Sequence, residues 1–187
     1  MDARWTRRRL LRAALIAPAG LALPTTTAGA VEPATRGAKP VAIFIPAAKV
    51  DAPIETVRIL EGRMIDPSGP FVVGWYRESG RLAEPDNVVM AGHLDYWGVG
   101  RAVFYHLGAL DEGDGITILG DDNVEYAYDV EWVRRIRTID RGPEAIREVV
   151  DKTADERLTL ITCGGDFDRE LGEYEERTVV RARPLGR

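Results

Sequence analysis

Three side chains in this sequence have the types and placement for acyl-transfer chemistry. Cys163 is the only cysteine among 187 residues, between the apolar run Leu158-Thr-Leu-Ile-Thr162 and Gly164-Gly165. His93 follows Asn87-Val-Val-Met-Ala-Gly92, and Arg177 opens the last apolar run, Thr178-Val-Val-Arg-Ala182. A thiol attacks as thiolate, and a free cysteine is only slightly ionised near neutral pH. A neighbouring imidazolium or guanidinium lowers its pKa. A histidine can also protonate a leaving amine. An arginine keeps its charge and can donate to a developing oxyanion or hold a substrate backbone. Such a trio makes a thioester on the cysteine. Water resolves it in a hydrolase, an amine in a transpeptidase. Gly92, Gly164 and Gly165 would let a substrate backbone come close.

Each residue also has a plainer use. A free cysteine is among the most buried residue types and often only packs. Arg177 stands among Glu173, Glu175 and Glu176, where a surface ion pair would occupy it. Arg181 is a rival, because alternate residues of a strand share a face and both arginines are odd-numbered. His106, in Phe104-Tyr-His-Leu107, reads as structural. One cysteine and two histidines make no usual zinc site without carboxylates. Asp121-Asp122 and Asp166-x-Asp168 lack EF-hand spacing and read as solvated turns. Gly164-Gly165 lacks the lysine and the following helix of a phosphate loop. No metal and no cofactor are expected.

The elements that must position the trio are short. Strands are expected at Val41–Ile45, Phe71–Tyr76, Asn87–Ala91, Ile116–Leu119, Val124–Val133, Leu158–Thr162 and Thr178–Ala182, each bounded by Gly, Pro, Asp or Asn turn signals. Gly120-Asp-Asp-Asn123 reads as a hairpin turn. Only Pro143–Lys152 has helical character, with Pro143 in the first turn and Ile146, Val149 and Val150 on one face. A short helical turn is expected around Ala102–Leu107. Seven or eight strands and one or two short helices indicate a mostly β fold, a closed barrel or a sandwich. On that reading the trio stands at strand ends on a rim, where a rigid scaffold displays reactive groups.

The chain divides into an expected leader (1–30), a polar linker (31–40) and a catalytic domain (41–187). The leader holds five arginines and one acid, then the apolar run Ala13–Leu23 and the small-x-small tripeptide Ala28-Gly-Ala30. That is the form of a cleavable export signal. Thr6-Arg-Arg-Arg-Leu-Leu-Arg12 is similar to the twin-arginine pattern. The apolar run is shorter than the roughly 20 residues a membrane span needs, although an N-terminal tether is the alternative. With the leader set aside, the remainder is more acidic than the formal net charge of −5, which argues against nucleic-acid binding. In an oxidising compartment cysteines usually pair, so a lone exported thiol stands out as reactive.

These residues resemble the sortase family. Leu158-Thr-Leu-Ile-Thr-Cys163 with the distal Gly172-Glu-Tyr-Glu-Glu-Arg177 looks like its active-site signature, and Ala91-Gly-His93 like its histidine motif. Val73-Gly-Trp-Tyr76, His93-Leu-Asp95 and Ala102-Val-Phe-Tyr-His-Leu107 are similar to the actinobacterial class F. The resemblance implies an eight-stranded β-barrel that cleaves a Leu-Pro-x-Thr-Gly-type sorting signal and passes the acyl group to an amine of a peptidoglycan precursor. It implies Cys163 as nucleophile, His93 as acid/base and Arg177 as oxyanion or substrate-binding group. Thr162, Ala91, Gly92 and Gly164 would line the substrate. The stretch between Val133 and Leu158 would correspond to the substrate-selecting loop. A hydrolysing thiol peptidase and a non-catalytic cell-wall binding module are the competing readings.

Overall fold

A computed structural model of the chain describes residues 37–138 and 144–186. The expected leader and most of the linker lie outside the described residues. In chain order the strands begin with β1 (Pro40–Ile45), β2 (Val50–Val57), β3 (Ile59–Leu60), β4 (Arg63–Met64), β5 (Val73–Tyr76) and β6 (Asn87–Ala91). They continue with β7 (Asp95–Tyr96), β8 (Gly100–Arg101), β9 (Gly115–Gly120) and β10 (Glu125–Arg137). The helix α1 (Glu144–Val150) precedes β11 (Arg157–Asp168) and β12 (Glu173–Pro184). Eight of the strands close a barrel in the order β1-β2-β5-β6-β11-β12-β10-β9. The pairs β3-β4 and β7-β8 are separate two-stranded ribbons.

Strand alternation sorts the side chains onto two faces. Val88 and Met90 of β6, Leu158 and Leu160 of β11, and Val180 and Ala182 of β12 join Ile43, Ile45, Trp75, Phe104 and Ile118 inside the barrel. Each fully buried aliphatic side chain there contributes about 2 kcal/mol of burial. The alternate residues Val89, Ile161 and Val179 form a second cluster on the outer face, covered by Val149 of α1 and by Tyr76. Asn87 ties α1 to that face. Its amide donates to the carbonyls of Val149 and Asp151, both at 3.0 Å, and its oxygen accepts from the Thr159 hydroxyl at 2.6 Å. These bonds satisfy carbonyls that the end of a helix leaves free.

Three expectations about the elements change. Gly37–Pro40, read as the end of the linker, already pack on the barrel: Ala38 is buried and exchanges two backbone bonds with Leu82, at 3.1 and 3.0 Å. The helical turn expected over Ala102–Leu107 sits slightly later, as a 3₁₀ turn at Leu107–Ala109. Above all, Cys163 and Arg177 are not at strand ends. β11 and β12 run on past them as a hairpin arm, with Phe167 opposite Tyr174 and Asp168 opposite Glu173. Gly164-Gly165 reads as a strand breaker, but a bulge absorbs it and the ladder resumes. Among the described residues no helix is long and apolar enough to cross a membrane.

Candidate active site

Backbone register brings the three predicted residues together. Cys163 pairs directly with Arg177 across antiparallel β11 and β12, which sets their Cα atoms about 5 Å apart. On the other side β6 runs parallel to β11 with Ala91 level with Ile161, and the Gly92 N–H donates to the Ile161 carbonyl at 3.1 Å. Carrying that register two residues further sets His93 level with Cys163, one strand away. The β6–β11–β12 order therefore places the cysteine between the histidine and the arginine.

Each partner is held by a bond to backbone. His93 Nε2 lies 3.1 Å from the carbonyl oxygen of Pro67. A carbonyl only accepts, so Nε2 carries a proton, and it is Nδ1 that can gain or lose one. Tyr96 packs edge-on against the ring, 5.1 Å between centroids. Arg177 uses Nη1 to donate to the carbonyls of Tyr174 (3.1 Å) and Glu176 (3.0 Å). The surface ion pair with Glu173, Glu175 or Glu176 is not formed; Glu175 pairs with Arg137 at 2.8 Å instead. Arg177 thus keeps Nε and Nη2 for a ligand while its position is fixed.

Burial pushes the Cys163 thiol above the usual thiol range. The Arg177 guanidinium pulls it down, and the carboxylates of Asp66, Asp95 and Glu173 push it up again. Burial thus favours the protonated sulfur, and a base that takes its proton would aid attack. The free Nδ1 of the neighbouring imidazole is suited to that task. Asp95 is anchored by the Tyr174 hydroxyl, which donates to it at 2.5 Å. Burial and that bond hold the Tyr174 phenol up to about 12.

The residues expected to line the substrate separate. Ala91 is half-buried and packs against the outer cluster. Thr162 is 3% exposed, on the barrel-interior side of β11, so its hydroxyl does not share the face of Cys163. The glycines are closely packed where a Cβ would stand. A Cβ on Gly92 would stand 2.6 Å from the Phe104 ring, and one on Gly164 2.7 Å from the Thr178 hydroxyl. Arg181 is buried at the other end of the face, donating to the Val149 carbonyl at 2.9 Å. The acidic pairs behave as turns: Asp122 accepts from the Val124 N–H, and Asp168 from the N–H groups of Glu170 and Leu171.

Sequence reasoning missed three groups. Asp66 and Pro67 carry no chemical pattern in the sequence, yet the loop after β4 brings them to Cys163 and His93. Asp95 and Tyr174 stand 79 positions apart, and no local pattern announces their bond. His106, read as structural, lines an open cleft of about 680 Å³ together with Cys163.

A Sortase-domain family model matches residues 43–185. A search of curated proteins finds no match. Among solved structures the chain is similar to the lid mutant of sortase A from Corynebacterium diphtheriae, with TM-score 0.61, 18% identity, 79% of this chain and 70% of that one covered. It is similar to the sortase D5 transpeptidase of Clostridium perfringens, with TM-score 0.57, 19% identity and 79% of each chain covered. It is also similar to sortase C-1 from Actinomyces oris, with TM-score 0.61, 21% identity, and 80% and 76% covered. At these identities the structures establish the barrel. The family model, which spans most of the chain, establishes more: the chain belongs to the sortase family of cysteine transpeptidases.

Proposed function

We propose that this enzyme cleaves a Leu-Pro-x-Thr-Gly-type sorting signal between Thr and Gly and transfers the acyl group to an amine of a cell-wall precursor. The observation that carries this reading is the cross-strand pair Cys163–Arg177 with His93 two residues past the end of the adjoining strand β6. The Nδ1 lone pair of His93 takes the thiol proton as Cys163 attacks the Thr carbonyl carbon. Nε and Nη2 of Arg177 donate to the oxyanion that forms. The His93 imidazolium then returns a proton to the departing Gly amine. The acyl group is left on Cys163 as a thioester, which an incoming amine resolves.

The substrate has a fitting floor. Half-buried Ala91, Ile146 of α1, and Ile59 and Met64 of the β3-β4 ribbon edge the outer face above the buried Ile161 and Val179. An extended Leu-Pro segment matches that character. Residues 1–30 serve in this reading as an export leader or anchor, which delivers the catalytic domain to the extracytoplasmic surface. The residues similar to class F, Val73-Gly-Trp-Tyr76, His93-Leu-Asp95 and Ala102–Leu107, support a reading within that class.

The test uses a labelled Leu-Pro-x-Thr-Gly peptide with and without added amine, followed by mass spectrometry. The expected products are a thioester on Cys163 and an amine adduct. Cys163→Ala lowers cleavage by roughly a thousandfold or more. Cleavage that survives in Cys163→Ala sinks every covalent version. A wild-type protein that releases only the acid under all amine conditions is a peptidase rather than a transpeptidase.

A further inference from the structure

The histidine of the site is held by one face of a peptide group, and a carboxylate holds the other. His93 Nε2 donates to the Pro67 carbonyl at 3.1 Å. The N–H of the same peptide belongs to Ser68, and it donates to Glu55 Oε1 at 2.5 Å. That peptide is trans, so its C=O and N–H point to opposite sides of one plane. The Ser68 hydroxyl adds a second bond to the same carboxylate, donating to Oε2 at 2.9 Å. Asp66 and Asp95 act on the sulfur through space. Glu55 is instead bonded into the hydrogen-bond chain of the histidine itself.

Both ends of this chain rest on the barrel. Glu55 lies within β2, level with Gly74 of β5. Alternation puts it on the face of Val57, which belongs to the outer cluster. Pro67 is buried, and its ring fills the notch at Gly74: a Cβ built on that glycine would stand 3.2 Å from Pro67 Cγ. Before the peptide, the Tyr76 hydroxyl donates to the Ile65 carbonyl at 3.0 Å. After it, the Val103 N–H donates to the Pro70 carbonyl at 2.8 Å. The loop thus has three anchors besides Glu55. The effect of the carboxylate on the peptide is therefore separable from its effect on the shape of the loop.

We propose that Glu55 is a positioning residue for proton transfer from Cys163, acting on His93 through the Pro67–Ser68 peptide. This rests on the acid/base role read for His93 above. A carboxylate bonded directly to a catalytic imidazole orients the ring and supports the charge it acquires. Here one peptide stands between them. A carboxylate at a peptide N–H polarises the amide and makes its oxygen a stronger acceptor. The stronger acceptor keeps a proton on Nε2 and the ring in one orientation, which leaves Nδ1 as the nitrogen that exchanges protons with substrate and sulfur. One proton moves, from the sulfur to Nδ1 and then to the departing amine. The Nε2 proton and the Ser68 amide proton stay in place. While Nδ1 holds the moving proton the ring is a cation, and the polarised carbonyl meets that charge at Nε2–H.

The experiment uses the full chain in two measurements. Single-turnover acylation by a labelled Leu-Pro-x-Thr-Gly peptide gives a maximal rate and a half-saturating peptide concentration. Nuclear magnetic resonance of the protein labelled with ¹⁵N-histidine reads the Nε2 proton, which is seen downfield only while a bond shields it from exchange with water. The chain has two histidines, so His106→Gln assigns the signals. Wild type is expected to show the His93 proton. Glu55→Gln keeps the size of the side chain and an acceptor for the Ser68 N–H but removes the charge. It should move the resonance upfield and lower the maximal rate about threefold. Glu55→Ala should remove the resonance and lower the rate by about tenfold. Half-saturation should stay constant in both, because Glu55 does not touch the peptide. A maximal rate at the wild-type value in Glu55→Gln, whether or not the resonance moves, overturns the proposal. So does a loss in Glu55→Ala that only matches its loss of folded protein. A His93→Ala protein that acylates like wild type overturns the acid/base reading itself, and this inference with it.

Discussion

The outer face of the β11–β12 pair carries two rungs of similar composition. Thr159 faces Arg181 near one end, and Cys163 faces Arg177 four residues further on. Both arginines lie on the same face of one strand, yet they are used in opposite ways. Arg181 is 8% exposed, donates from Nη2 to the Val149 carbonyl at the end of α1, and lies 5.6 Å from the Trp132 ring centroid. Thr159 completes that rung by bonding Asn87, which holds the same helix end. Arg177 is half-exposed and bonds only carbonyls of its own strand, through Nη1. The difference lies in what covers the face. The end of a helix closes over the Arg181 rung and takes its Nη2 donor, leaving Nε buried without a partner. The loop carrying Asp66 and Pro67 and the β7-β8 ribbon carrying Asp95 border the Cys163 rung and leave Nε and Nη2 of Arg177 directed to no protein acceptor.

That contrast predicts opposite outcomes for one substitution made at two places. Arg177→Gln should lower kcat/KM for peptide cleavage by about a hundredfold or more, the usual loss for an oxyanion donor, with little change in thermal stability. Arg181→Gln should do the reverse. It removes a charged donor from a buried carbonyl and should destabilise the fold by about 1–3 kcal/mol, with cleavage per folded molecule altered only a few-fold. Urea melts and peptide kinetics on both proteins decide the matter. Loss of cleavage in Arg181→Gln with normal cleavage in Arg177→Gln would exchange the two roles.

The Cys163 rung also depends on a packing feature. The backbone of Gly92 bonds Ile161 and leads into His93, while its open side is filled by Phe104 and Val103. A methyl group there meets the Phe104 ring at 2.6 Å. Gly92→Ala should therefore destabilise the protein by about 1–3 kcal/mol through overpacking. It should also depress cleavage, because His93 moves with the strain. A Gly92→Ala protein as stable and active as the parent would show that Phe104 repacks freely and that the histidine does not depend on this contact.

Much of this was legible in the sequence, and the limits have physical causes. Strand-length apolar runs bounded by turn residues located most of the barrel, and Pro143–Lys152 located α1. Cys163, His93 and Arg177 stood out as candidates by residue type and motif, and the strand register sets Cys163 opposite Arg177. What composition and spacing do not carry is the face a side chain takes and what lies across from it. Thr162 sits beside Cys163 in the chain, but alternation sends it into the barrel. Gly164-Gly165 looks like a strand end, but a bulge carries the strand past it. Arg177 and Arg181 look equivalent until the helix that covers one of them is in place. Asp66, Asp95 and Tyr174 reach the site through loops and a hairpin arm, and only the closed fold sets their distance from the sulfur.

Those loop carboxylates offer the finest test of the contrast between the rungs. Alkylation of Cys163 by iodoacetamide follows the thiolate population, so its rate rises with pH through the thiol pKa. Burial and the three carboxylates hold that pKa above the ordinary thiol value, against the pull of Arg177. The alkylation curve of the folded protein should therefore lie to the alkaline side of the curve for the urea-unfolded chain. Removing the cation in Arg177→Gln should move it further alkaline and slow labelling at pH 7 severalfold. Removing an anion in Asp95→Asn should move it the other way and speed labelling by a smaller factor, since Asp95 is exposed and its charge is screened by water. Arg181→Gln belongs to the covered rung and should leave the curve in place. A shift in Arg181→Gln equal to that in Arg177→Gln would mean that the two ends of the face share one electrostatic environment, and the functional division between them would fall.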